Sequence, residues 1–185
     1  MRFRRNRYKE YPKVIFCAKF MADVVVAICL GIVFVEFILG KLSISGNSMA
    51  PTLVNDDVVF VNHFAYSFGS PDRFDVVAFS VAGSDSSKVY VKRVIGLPGE
   101  KIKIAEGIIY INGEPLKNDV SNEVIITAGL ASNEIELADD EYFVLGDNRN
   151  NSEDSRFANI GNVKKGNIIG KPWLIIGPFS RLGFI

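Results

Sequence analysis

Residues 89–95 read Val89-Tyr90-Val91-Lys92-Arg93-Val94-Ile95, and this run indicates the structural class of the chain. Apart from two adjacent basic residues it consists of β-branched and aromatic residues, which is typical of a largely buried strand. Neighbouring side chains of a strand point to opposite faces, so one of Lys92 and Arg93 can be buried while the other is solvated. The spacing alone favours the alternative, two solvent-facing basic residues on an edge strand.

Similar runs, separated by turn residues, predict six more strands. They are Asp57 to Asn62, Asp75 to Val81, Lys101 to Ala105, Ile108 to Ile111, Glu141 to Leu145 and Asn167 to Trp173. Asn112-Gly113 predicts a hairpin turn, because both central positions of a type I′ turn need a positive φ. Residues 106–139 are predicted to be a loop-rich insertion, since Asn118 to Ala138 is polar and aperiodic. The sequence therefore predicts a mostly β domain.

The segment Val14 to Gly40 is mostly apolar and predicts one membrane-spanning helix. At about 1.5 Å per residue it is long enough to cover the roughly 30 Å hydrocarbon core of a bilayer. Three charges interrupt it. Lys19 and Asp23 are four residues apart and can pair on one helical face, while Glu36 lies near the far end.

The competing interpretation of this segment is a cleaved signal peptide. The apolar run is longer than usual for one, and Gly40-Lys41-Leu42-Ser43 offers no small-x-small cleavage site, which favours an uncleaved signal anchor. Residues 1–13 form a basic tail with a single acid, Glu10. The positive-inside rule places this tail in the cytoplasm and residues 41–185 outside. This concentration of basic residues in the tail argues against a nucleic-acid surface spread over the domain. It favours a tail that lies beside anionic lipid head groups.

Composition excludes several chemistries from residues 41–185. The chain has 21 basic and 21 acidic residues, so its formal net charge is zero. Its two cysteines, Cys17 and Cys29, both lie in the apolar segment, which excludes a disulfide, a thiolate zinc site and a cysteine nucleophile from the domain. His63 is the single histidine, and a lone histidine is more often structural than catalytic.

Ser48 lies in the turn Gly46-Asn47-Ser48-Met49-Ala50-Pro51-Thr52-Leu53. A serine in such a turn usually caps local backbone groups. If it is a nucleophile it needs a base, and the composition leaves a lysine, a tyrosine or a carboxylate. A lysine can act as this base only when desolvation lowers its pKa. Lys92, in its apolar run, meets this condition best.

The segment Gly146 to Arg156 follows a predicted strand and is dense in side chains that hydrogen-bond their own backbone, which indicates a rigid loop. A calcium loop is disfavoured, because Arg149 stands third from Asp147, where an oxygen ligand is required, and no glycine stands at the sixth position. We expect no metal and no cofactor.

Four of these segments, in this order, resemble the signature boxes of the bacterial type I signal peptidases, most closely those of Gram-positive bacteria. They are Gly46 to Leu53, Arg73-Phe74-Asp75-Val76-Val77-Ala78-Phe79, Lys92-Arg93-Val94-Ile95-Gly96-Leu97-Pro98-Gly99, and Gly146-Asp147-Asn148-Arg149 through Ser152, Asp154 and Arg156. With the apolar segment and Ile169-Gly170-Lys171-Pro172-Trp173, the resemblance covers nearly the whole chain. It implies a signal-peptidase-like β domain after one transmembrane helix.

The resemblance also implies roles for individual residues. Ser48 matches the nucleophile and Lys92 the general base of a Ser/Lys dyad. Ser152 matches a hydroxyl that orients the lysine, and Asp154 with Arg156 matches a supporting ion pair. Six positions match the lining of the substrate pockets, although each could equally be a core residue: Leu42, Ile44, Met49, Leu53, Tyr90 and Val91.

Two positions depart from the family pattern. Gly46 stands where some relatives carry a serine that donates to the oxyanion, so this site depends on other donors, the Ser48 amide first. Phe74 stands where the family commonly has glycine, which puts the local turn geometry in doubt.

The implied function is removal of signal peptides from secretory preproteins after Ala-x-Ala sites at the outer face of a lipid bilayer. One alternative is a processing or accessory factor dedicated to a single substrate class such as pilins. Another is a self-cleaving repressor with a related β fold, which would need a DNA-binding region where residues 1–40 offer an anchor. The sequence predicts no nucleic-acid partner and says nothing of the oligomeric state.

Overall fold

The structure is a computed structural model that describes residues 12–81, 88–121 and 123–185, without the side chains of residues 12–14 and 33–39. Almost all of the predicted basic tail lies outside the described residues. The chain divides into two units, residues 1–37 and residues 38–185. The second unit is mostly β, as predicted.

A single long helix, α1, spans Pro12–Ile38. Its window Ile15–Ile32 has a mean hydropathy of 2.2 and exposes its side chains, so by length and composition the helix can cross a membrane. It ends two residues before the predicted limit, Gly40, because Leu39 and Gly40 already pair with a neighbouring strand. Gly40 fits there since a Cβ at this position would lie 2.2 Å from the His63 ring.

Eight strands of the second unit form one antiparallel sheet. The strands are β1 (Leu39–Ser43), β2 (Val58–Asn62), β3 (Val76–Ser80), β4 (Val89–Gly96), β9 (Glu141–Leu145), β10 (Val163–Lys164), β11 (Ile168–Gly177) and β12 (Gly183–Phe184). Their order is β1-β2-β11-β3-β4-β9-β10, with β12 paired on β11. All seven predicted strands are present in the domain. The strand β1, whose first two residues belong to the predicted anchor, was not predicted, and neither were the two-residue strands β10 and β12.

The segment predicted as a loop-rich insertion is more regular than expected. It joins β5 (Lys101–Ala105) in a second antiparallel sheet of order β7-β6-β5-β8. This segment contributes the predicted strand β6 (Ile108–Ile111) and two short strands that were not predicted, β7 (Glu114–Pro115) and β8 (Ile135–Glu136). The predicted Asn112-Gly113 turn joins β6 to β7, with φ of 52° and 85° at its two residues.

Short 3-10 helices complete the described elements. They span Gly129–Ser132, Arg149–Asn151, Lys165–Asn167 and Phe179–Arg181. Arg149–Asn151 follows β9 directly and carries part of the loop that closes the candidate site.

Strand β4 lies inside the first sheet, between β3 and β9. Lys92 is 4% exposed and Arg93 is 8% exposed. The edge-strand interpretation of this run is therefore wrong, and neither of the two basic residues is solvated. Both faces of β4 are covered because apolar clusters lie on both sides of the sheet. One contains Ile44, Met49, Leu53 and Val91, and another contains Val77, Val94 and Val144.

Candidate functional site

Ser48 lies in the turn that connects β1 to β2, and the turn is braced by its own side chains. Asn55 Oδ1 accepts a hydrogen bond from the Gly46 amide at 2.8 Å, and the Asn55 amide donates to Asn47 Oδ1 at 3.1 Å. Gly46 has a φ of +86°, in the left-handed region, with open space around it. Glycine suits this position because a side chain would be strained by the backbone conformation alone.

The structure brings Ser48 and Lys92 together, 44 residues apart in sequence. Lys92 Nζ lies 2.6 Å from Ser48 Oγ. Burial lowers the pKa of the Lys92 amine below its ordinary value of 10.5, and the charges of Asp154, Glu153 and Asp147 act against this shift. A lysine with a lowered pKa has a larger neutral fraction near neutral pH, and the neutral amine is the form that accepts a proton.

An apolar groove of about 400 Å³ runs up to this pair. Five of the six predicted pocket residues line it: Leu42, Ile44, Met49, Tyr90 and Val91. The sixth, Leu53, does not line the groove; it is fully buried in the core beneath. Two charged side chains that were not predicted, Lys88 and Glu153, also line the groove.

Ser152 lies beside the site, but its hydroxyl contacts no polar group. Ser152 Oγ is buried and has no hydrogen-bond partner among the described residues, so the structure does not join it to Lys92. It packs over Gly146, where a Cβ would lie 2.2 Å from Ser152 Oγ and 2.4 Å from the Ser48 carbonyl oxygen. Only glycine fits between these two groups.

The predicted ion pair of Asp154 and Arg156 is present and buried. Arg156 Nε donates to Asp154 Oδ1 at 2.8 Å and its Nη2 donates to Oδ2 at 2.9 Å. The Gly146 amide also donates to Asp154, at 3.1 Å. The pair thus stabilises the start and the end of the loop that covers the site.

A second buried ion pair, Arg93 with Asp147, was not predicted. Arg93 Nε and Nη2 donate to the two oxygens of Asp147 at 2.7 and 2.6 Å. Thr52 Oγ1, from the Ser48 turn, donates to the same carboxylate at 2.6 Å. Both charged residues lie in the signature boxes, but the sequence gives no direct sign that they meet.

Ion pairs with arginines also explain why the segment that follows β9 is not a calcium loop. The Asp147 carboxylate is occupied by Arg93 and Thr52, and Arg149 forms an ion pair with Asp119. Within residues 12–81, 88–121 and 123–185, no three His, Cys, Asp or Glu side chains lie together in a group that could hold a metal ion.

Two further residues singled out from the sequence lie away from the groove. His63 Nδ1 lies 3.1 Å from the Ile169 carbonyl oxygen, so its contact is with β11. Phe74 adopts a φ of +74°, the conformation that glycine takes easily. Its backbone is held there by two hydrogen bonds, from its amide to the Val94 carbonyl and from Arg93 to its own carbonyl, both at 2.8 Å.

A serine hydroxyl against a buried amine, at the end of an apolar groove on a β domain, is an arrangement that can produce a serine nucleophile without histidine. Comparison with known proteins agrees with this class. Residues 17–176 match the signal peptidase family, peptidase S26. The chain therefore belongs to this family and is a peptidase of it, which confirms the resemblance seen in the sequence.

The relatives are named signal peptidases. A protein of Bacillus subtilis subsp. natto named Signal peptidase I P is 33% identical over 94% of this chain and 96% of its own length. Signal peptidase I S of Bacillus subtilis (strain 168) is 34% identical over 86% of this chain and 88% of its own. A protein of Synechocystis named Probable signal peptidase I-2 is 29% identical over 97% of this chain and 82% of its own.

A solved signal peptidase I from Enterococcus faecalis V583 is 32% identical and superposes with a TM-score of 0.41, over 55% of this chain and 95% of that one. The family assignment rests on the sequence matches.

Proposed function

We propose that the protein removes signal peptides from secretory preproteins, with Ser48 as the nucleophile and Lys92 as the general base. The observation that carries this proposal is the 2.6 Å contact between the buried Lys92 amine and the Ser48 hydroxyl. Membership in the signal peptidase family supplies the substrate class.

The chemistry follows from the protonation state of Lys92. The neutral amine takes the hydroxyl proton while Ser48 Oγ attacks the scissile carbonyl carbon. The ammonium then protonates the leaving amine of the mature protein, and an acyl-enzyme remains. In the second half, the neutral amine takes a proton from water, the hydroxide attacks the ester, and the signal peptide leaves as Ser48 recovers its proton.

The developing oxyanion needs donors that are already in place. The Asn148 amide donates to the Ser48 carbonyl at 3.1 Å, which fixes the turn from the opposite side. Among the described residues no hydrogen bond engages the Ser48 amide, so this amide is available as a donor. Gly46 adds no side-chain donor, and we assign the oxyanion to backbone groups.

The groove supports a preference for small residues before the cleavage site. Its floor is formed by Ile44, Met49 and Val91, which are 8%, 2% and 8% exposed. A floor of packed aliphatic side chains cannot move to admit a large residue without loss of core contacts. We therefore propose cleavage after a small-x-small sequence such as Ala-x-Ala.

The apolar helix supports anchoring in the cell membrane. We propose that α1 spans the bilayer once with the basic N-terminus in the cytoplasm, so that the β domain meets preproteins on the outer side. This topology also argues against the repressor alternative. The pilin-dedicated alternative is not favoured, because the relatives are named signal peptidase I.

The proposal is tested with the full-length protein in detergent and a preprotein carrying an Ala-x-Ala site. Wild type is expected to release the mature N-terminus, and Ser48→Ala to abolish cleavage. Ser67→Ala, an exposed serine away from the groove, is the matched control and should cleave normally. Normal cleavage by Ser48→Ala would overturn the assignment. Mass spectrometry of secreted N-termini with and without the protein then measures its substrate range.

A further inference from the structure

Three carboxylates act on the Lys92 amine, and they differ in how their own charge is balanced. Asp154 and Asp147 are both buried, and each forms a two-point ion pair with an arginine. Among the described residues Glu153 forms no ion pair with an arginine; the side-chain amide of Asn159, a neutral group, donates to it, and the charge of Lys88 acts on it from nearby. Among these three, Glu153 is therefore the carboxylate that no arginine neutralises.

Glu153 is also the one of the three that lines the substrate groove, together with Ser48 and Lys92, and it stands in the chain between Ser152 and Asp154. The opposite charge in the same groove is Lys88, whose Nζ lies 4.8 Å from the centre of the Tyr90 ring. The arginines that neutralise the other two carboxylates are Arg93 and Arg156.

We propose that Glu153 is a positioning residue that acts through Lys92. From the wall of the groove, its carboxylate sets the lower pH limit at which the peptidase works. This inference rests on the proposed roles of Ser48 and Lys92. A negative charge nearby favours the ammonium form and opposes the effect of burial. With Glu153 present, Lys92 therefore becomes neutral at a higher pH than burial alone would give.

Glu153 is exposed, so its effect on Lys92 should also depend on salt. Salt screens the field of an exposed charge with a Debye length of about 10 Å at 0.1 M, whereas buried pairs are screened much less. Because Asp147 and Asp154 are buried, added salt should weaken the influence of Glu153 and leave theirs nearly unchanged.

The experiment measures kcat/KM against pH at low and high salt, with an uncharged fluorogenic peptide that carries an Ala-x-Ala site. Glu153→Gln keeps the shape and can still accept from Asn159. Its acid limb is expected at lower pH than that of wild type. Raising the salt should move the wild-type limb to lower pH and move the variant limb less. Glu114→Gln, an exposed acid on β7 outside the groove, should behave as wild type.

Superimposed profiles of Glu153→Gln and wild type would overturn the proposal, and so would a lowered plateau without a shift of the limb. A titration of Lys92 Cε by NMR on both full-length proteins, independent of turnover, should show the same displacement. Ser48→Ala is included in the series. If it cleaves, the proposed function fails; if it is inactive while the profiles superimpose, only the role of Glu153 fails.

Discussion

Lys92 and Arg93 are neighbours on β4, and both are basic and buried. Their side chains lie on opposite sides of the strand and contact different groups. Arg93 faces Asp147 and makes two hydrogen bonds to its carboxylate. Lys92 faces the Ser48 hydroxyl and forms no ion pair among the described residues. A counter-charge stabilises the protonated form of a buried basic group, whereas burial against a neutral hydroxyl favours loss of its proton.

The largest effect on activity is expected when Lys92 is replaced by a residue that, like Arg93, keeps its proton. In Lys92→Arg the guanidinium stays protonated, because arginine does not lose its proton in proteins. The variant keeps a cation on the strand but lacks the proposed base, so kcat/KM on a preprotein peptide should fall by about 10³-fold. Retention of the folded state is checked by the thermal unfolding transition. A variant that folds and retains substantial activity would contradict the role of Lys92.

On the Arg93 side, Asp147→Asn should cost stability. The substitution leaves the Arg93 cation buried without a counter-charge, and breaking such a pair typically costs about 3–5 kcal/mol of unfolding free energy. Urea denaturation measures it. Asp139→Asn, an exposed acid, is the control and should change the free energy by less than about 0.5 kcal/mol. Equal stabilities of the two variants would show that the ion pair is not needed for folding.

The smallest effect concerns Phe74, whose carbonyl accepts a hydrogen bond from Arg93. A left-handed backbone costs a residue with a Cβ about 1 kcal/mol relative to glycine. Phe74→Ala and Phe74→Gly both lose the ring, but only glycine relieves this cost. Phe74→Gly should therefore be more stable than Phe74→Ala by about 1 kcal/mol in urea denaturation. The reverse order would mean that the strain is absent.

The sequence predicts the long strands well, because their apolar pattern is local. β5, β6 and β9 have the predicted limits, while β11 runs on to Gly177 beyond the predicted Trp173. Strand β1 was missed, since Leu39 continues the apolar run of the helix and nothing in the composition marks where the helix ends. The two-residue strands β7, β8, β10 and β12 depend on partners elsewhere in the chain and have no period of their own.

The site was predicted unevenly for a related reason. The resemblance identified Ser48, Lys92 and the pair of Asp154 and Arg156, and the structure places these side chains around one loop. Arg93 and Asp147 are 54 residues apart, and only the register of β4 against β9 brings them together. Alternation along a strand tells which side a residue faces, but it does not tell whether that side holds water or a carboxylate.

The Arg93 and Asp147 pair also joins elements that could otherwise open separately. Asp147 accepts from Thr52 in the Ser48 turn, and the next residue, Asn148, donates from its amide to the Ser48 carbonyl. The Ser48 turn, β4 and the covering loop are thereby bonded to one another through buried and half-buried groups. Local opening of any of them would have to break these bonds, so Ser48 and Lys92 belong to the same cooperative unit as the core of the sheet. On heating, the proposed dyad would then come apart in the same event as the fold.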